Sequence, residues 1–104
     1  MAQPPPLTPE QRAAALEKAA RMRRARAHVK AELKSGSLKL SEALEQAKDN
    51  DIVGKLKVKA LLTSLPGIGV AKADAIMQEI GISATRRVAG LGAIQREKMI
   101  ALFG

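Results

Sequence analysis

Apolar residues along this 104-residue chain recur at helical spacing, and no stretch alternates as a half-solvated strand would. Thr8-Pro9-Glu10-Gln11 reads as a helix start. Threonine supplies the N-cap, proline takes the first helical position where its missing N–H is harmless, and Gln11 closes a capping box. Alanines and straight-chain charged residues carry that helix to about Lys34, where Ser35-Gly36-Ser37 offers a stop. Its apolar stripe of Ala15, Met22, Val29 and Leu33 is narrow, so only part of the helix can dock on a core. A second helix is predicted from about Ser41 to Lys48, with Leu40, Ala43, Leu44 and Ala47 inward and Asp49-Asn50-Asp51 ending it. Ile52, Val53, Leu56, Val58, Leu61, Leu62 and Leu65 supply most of the core, with Gly54 as a break before a helix from about Lys57 to Ser64. Ala73, Ile76, Met77 and Ile80 mark the inner face of a helix ending at Gly81, and Ile94, Met99, Leu102 and Phe103 that of the last helix. The fold expected is all-α, a long N-terminal helix followed by one small helical domain.

Charge narrows the partners. The formal net charge is +8, and a small basic domain meets polyanions, either nucleic acid or an anionic membrane. No apolar run approaches the roughly 20 residues of a spanning helix, and the start at Met1-Ala2-Gln3-Pro4-Pro5-Pro6 lacks the pattern of a signal peptide. A cytoplasmic protein without a membrane partner is therefore expected. Without cysteine the chain forms no disulfide or iron-sulfur centre, and one histidine gives little to hold a metal, so no cofactor is expected. Phe103 is the sole aromatic residue, whereas single-strand binders need stacking platforms. A basic surface without aromatics suits duplex phosphates, which points to double-stranded DNA or a shaped RNA.

The candidate chemistry sits in Leu65-Pro66-Gly67-Ile68-Gly69-Val70-Ala71-Lys72, where a proline stops one helix and two glycines open the next. A helix N-terminus presents unpaired N–H groups and the positive end of its dipole, which together hold a phosphate. A turn that needs glycine for sterics alone fits the same residues. The pattern returns 23 residues later as Val88-Ala89-Gly90-Leu91-Gly92, so two similar helix openings are expected, a pair suited to a duplex. Between them Arg86 and Arg87 offer guanidinium forks for phosphates or a minor groove, and Lys72 adds a point charge beside the first turn. Along the N-terminal helix Arg23, Arg26, Lys30 and Lys34 share a face. Seven basic residues between Lys18 and Lys34 face one acid, Glu32. A solvated helix face would carry balancing acids at i,i+4, and this one lacks them.

The segment from about Asn50 to Gly104 resembles the helix-two-turns-helix domain shared by a ribosomal protein of the small-subunit head and the formamidopyrimidine-DNA glycosylases, with a helix-hairpin-helix inside it. The full chain is similar to the actinobacterial integration host factor family, through Leu7-Thr8-Pro9-Glu10-Gln11-Arg12-Ala13-Ala14-Ala15-Leu16-Glu17-Lys18-Ala19-Ala20, Val53-Gly54-Lys55-Leu56-Lys57-Val58, Leu65-Pro66-Gly67-Ile68-Gly69 and Arg86-Arg87-Val88-Ala89-Gly90-Leu91-Gly92. The resemblance implies a nucleoid-associated protein that binds duplex DNA with little sequence preference, bends, bridges or compacts it, and supports transcription control and phage integration, with an integrase as a further partner. It carries DNA contact to Gly67, Ile68, Gly69, Lys72, Arg86, Arg87, Gly90 and Gly92. It also carries a second DNA surface to the N-terminal helix, where Arg23, Arg24, Arg26, Lys30 and Lys34 stand. Members often have basic residues where this chain has Val70 and Ala89, which implies weaker contact through that face.

An enzyme of the same fold is not expected. A lyase-type glycosylase would need its lysine at Ala71, one residue before Lys72, and the formamidopyrimidine type an N-terminal proline where Ala2 stands. RNA binding remains open as the alternative, since the ribosomal relative uses the same domain. The organisation expected is a disordered tail at 1–7, a basic helix at 8–35 and a helical DNA-binding domain at 36–104 with its core at about 50–104, acting as a monomer in the nucleoid.

Overall fold

A computed structural model describes residues 6–103. Residues 1–5, with most of the tail expected over 1–7, and Gly104 lie outside the described residues. The chain forms α1 (Pro9–Ser35), α2 (Leu40–Gln46), α3 (Asp51–Gly54), α4 (Val58–Ser64), α5 (Val70–Ile80), a 3₁₀ turn (Val88–Gly90) and α6 (Ala93–Phe103). No helix among the described residues is long and apolar enough to cross a membrane.

The start and stop of α1 follow the local chemistry. Thr8 Oγ1 accepts from the Gln11 N–H at 3.1 Å, while the Gln11 side chain accepts from the Thr8 N–H at 3.0 Å. Gly36 closes the helix in the left-handed region at φ 82°, where a Cβ would be strained. At 27 residues α1 spans about 40 Å. Only Val29 and Leu33 are buried along it, and Met22 is half-buried. Ala15, expected on the docked stripe, is exposed. The last two turns pack against α3 and α4, so the preceding turns form an arm without a core of their own.

Asn50 does more than end α2. Its side chain accepts from the Ile52 N–H at 2.9 Å and so caps α3, a single turn that ends at Gly54, where the break before α4 was expected. Gly54 is buried, and a Cβ there would lie 3.0 Å from the Ala47 carbonyl oxygen and 3.3 Å from the Ala89 Cβ. Its role is close packing. The core gathers Leu33, Leu40, Ala43, Val53, Val58, Leu61, Leu62, Ala73 and Met99, all essentially inaccessible, and loop residues Leu38, Leu56, Ile82 and Leu91 plug the gaps between helices.

In α6 the expected inner face is half right. Met99 is buried and Phe103 half-buried, but Ile94 and Leu102 are 67% and 54% exposed. Gln95 and Arg96 share the packed side with Met99 and Phe103, since i, i+1, i+4 and i+8 lie on one face. Short helices joined by buried loop residues leave too little interior for every apolar side chain.

Candidate nucleic-acid interface

The hairpin between α4 and α5 is built by local chemistry. Thr63 Oγ1 and Ser64 Oγ donate back to the carbonyls of Lys59 and Ala60 one turn earlier, at 2.9 and 2.7 Å, so both hydroxyls are satisfied within the last turn of α4. Leu65 is extended at φ −72°, ψ 147°, the conformation its following proline favours. Gly67 then turns the chain at φ 77°. The Lys59–Asp74 ion pair, 3.1 Å long and part-exposed, ties α4 to α5.

Gly69 differs from Gly67. It is the N-cap of α5 with φ −87°, an ordinary value, and a Cβ built on it meets nothing within 4 Å. Neither strain nor internal packing demands glycine there. What glycine provides is unobstructed access from outside to a helix end that has no side-chain cap. Gly67, Gly69 and Lys72 are exposed and Ile68 is half-buried against the core.

The second glycine turn is not a copy of the first. Val88–Gly90 is a 3₁₀ turn, and neither Gly90 nor Gly92 has positive φ. The Gly92 N–H already donates to Gln95 Oε1 at 2.9 Å, and the Gln95 amide nitrogen donates to the Gly81 carbonyl at 3.0 Å. Both turns open a helix as expected, α5 after Gly69 and α6 after Gly92, but the openings are less alike than the repeat implies, because Gln95 occupies the Gly92 donor.

This turn instead holds arginines. Val58 N donates to Arg86 O at 2.9 Å and Val88 N to Leu56 O at 2.8 Å, forming an antiparallel bridge that pairs Lys57 with Arg87. Arg86 Nη1 donates to the Gly90 carbonyl at 2.9 Å, and Arg87 Nη1 to the Lys55 carbonyl at 2.7 Å. Each guanidinium has five N–H donors, so one bond to backbone fixes its direction and leaves the others available. Both arginines remain exposed.

The bridge also reveals two residues that reading the sequence left out of the site, Lys55 and Lys57. Leu56 and Val58 are buried, so the alternation at 55–58 turns both lysines outward beside the arginines. That four-residue period-2 pattern, which corrects the expectation that no stretch alternates, was the available signal. The ion pairs found among the described residues are His28–Glu32, Glu45–Lys48 and Lys59–Asp74, none of which involves Lys55, Lys57, Lys72, Arg86 or Arg87.

Arg86 and Arg87 sit at the start of α4, through Val58, whereas the hairpin follows its end. Seven residues of helix separate the two groups by about 10 Å. On α1, Arg23, Arg24, Lys30 and Lys34 are exposed, while Arg26 is half-buried on the flank that carries Met22 and Val29. None of these five forms an ion pair among the described residues.

A family model described as an S13-like H2TH domain matches residues 33–103. A protein of Streptomyces coelicolor named integration host factor is 56% identical over 100 residues, covering 96% of this chain and 94% of its own. A Mycobacterium tuberculosis protein of the same name is 52% identical over 100 residues, covering 96% and 95%. A solved structure described as sIHF bound to an 8 bp palindromic DNA superposes with a TM-score of 0.83 at 50% identity, over 85% of this chain and 99% of that one.

Proposed function

We propose that this chain, which belongs to the actinobacterial integration host factor family, is a nucleoid-associated protein that binds double-stranded DNA through the hairpin and the bridged arginines. The observation that carries the reading is the side-by-side placement of Lys57 and Arg87, with Arg86 and Lys55 beside them and no acid among the described residues paired to any of the four. A relative with half of its residues identical was solved on duplex DNA, which supports the ligand class.

The hairpin seats one backbone phosphate on the uncapped start of α5, where Gly69 allows approach and Lys72 supplies charge. Arg86 and Arg87, about 10 Å away along α4, take phosphates elsewhere on the duplex or enter its minor groove. Contacts of this kind position the protein without reading bases, hence little sequence preference. The basic arm of α1 supplies a second DNA surface through Arg23, Arg24, Lys30 and Lys34, with Arg26 at its edge. Two surfaces on one body permit bending or bridging, and from there compaction, transcription control and support of phage integration beside an integrase.

Nothing on this reading makes it an enzyme. Ala71 and Lys72 stand in the first turn of α5, and no nucleophile with a partnered base accompanies them among the described residues. Competition between matched duplex DNA and duplex RNA tests the ligand class. The protein is expected to prefer DNA, and a clear preference for RNA would replace this reading with the ribosomal one.

A further inference from the structure

Between the end of α2, the 3₁₀ turn and α6 lies a cleft of about 170 Å³, lined by Leu44, Ala47, Lys48, Val88, Ala89 and Arg96. Leu44 and Val88 are buried and give it a rigid floor. The two charged side chains on its wall are both cations, and no carboxylate lines it. Like charges held across one small cleft repel, and an anion seated between them relieves the repulsion.

Neither cation is committed elsewhere at much cost. Arg96 is half-buried and forms no ion pair among the described residues. Lys48 pairs with Glu45 at 3.1 Å, but the two side chains are 52% and 73% exposed, and exposed pairs of this kind are weak. Ala89 is exposed on the lining, where a lone methyl adds little bulk. The same three-residue turn lines the cleft through Val88 and Ala89 and presents the Gly90 carbonyl that holds Arg86. The adjoining cleft, lined by Glu45 and Glu97 as well as Lys48 and Arg96, carries two acids and sets the limit of the anion-friendly surface.

We propose that Lys48 and Arg96 form a phosphate subsite that seats a duplex phosphodiester next to those held by Arg86 and Arg87, an inference that rests on the duplex-binding reading above. Arg96 supplies the forked donors and Lys48 the mobile point charge. Ala89 serves as the gap through which the strand enters.

The test uses the full chain and duplexes of two unrelated sequences, with affinity measured across a salt series. Each neutralised phosphate contributes about −0.9 to the slope of log K against log salt. Lys48→Gln with Arg96→Gln is expected to make that slope shallower by about one unit on both sequences, with the melting temperature unchanged, while Arg96→Lys keeps most of the wild-type slope. An unchanged slope in the double variant, with a shallower one in Arg86→Gln/Arg87→Gln, overturns the subsite and leaves the duplex reading intact. If neither double variant alters the slope, the duplex reading falls as well. Inorganic phosphate alone separates the two sources of the anion. Only weak, millimolar shifts of the Ala89 and Arg96 amide signals are expected, and micromolar saturation together with an unchanged DNA slope would assign the cleft to a small free phosphate and overturn the proposal.

Discussion

The turns at Leu65–Gly69 and Val88–Gly92 share a glycine-apolar-glycine spelling, yet they solve different problems. In the first, Gly67 bends the chain at φ 77° and Gly69 leaves the start of α5 uncapped and unobstructed. In the second, no glycine has positive φ, Gln95 caps the Gly92 N–H, and the Gly90 carbonyl holds Arg86. The first turn keeps its backbone donors for an outside acceptor. The second uses its backbone to aim side chains. Glycine spacing alone does not separate these outcomes, because it says where the chain can turn and not which groups the turn leaves unpaired.

Changes aimed at one turn should therefore fail in ways the other does not share. Arg86→Gln with Arg87→Gln is expected to have the largest effect on binding. It should lower affinity about 100-fold at low salt for every duplex sequence alike, as read by fluorescence anisotropy. Loss confined to one sequence would contradict phosphate contact by these residues.

Next comes Gly69→Glu, which places a carboxylate in open space at the helix start. Affinity should fall about tenfold through like-charge repulsion with the DNA, while the melting temperature holds. If the melting temperature falls instead, Gly69 is a packing residue and the access role is wrong.

Gly67→Val strains a left-handed position and should cost about 1–2 kcal/mol of stability, seen in chemical denaturation. Gly92→Ala, which introduces neither positive φ nor a close contact, should change stability by less than about 0.5 kcal/mol. Equal effects at these two positions would erase the distinction between the turns.

The smallest effect on first-site affinity belongs to the arm. Replacing Arg23, Arg24, Lys30 and Lys34 with glutamine should reduce bending or bridging in a ligation or tethering assay more than it weakens single-duplex binding. An unchanged compaction readout would return these residues to a solvated helix face.

The sequence was most legible where a residue's neighbours in the chain decide its structure. The Thr8–Gln11 box, the Gly36 and Gly81 stops and the Pro66 break are all local, and each appears where expected. The inner face of α5 was equally readable, since Ala73 and Met77 repeat at helical spacing. Legibility ended where distant segments meet. The bridge joining Lys57 to Arg87 spans two loops, and it alone brings Lys55 and Lys57 to the arginines. Gly54 reads as a helix breaker until Ala47 and Ala89 are seen against it. Ile94 and Leu102 look like core residues in the chain, but the interior is already filled by Leu91 and Met99.

Backbone amide shifts during titration with a short duplex test the central claim most directly, because the two turns differ in which N–H groups are free. The Gly67, Gly69, Val70 and Ala71 amides should move strongly and saturate with the DNA, while the Gly92 amide, already bonded to Gln95, stays nearly still. Unmoved amides from Gly67 to Ala71 at saturating DNA would contradict the account.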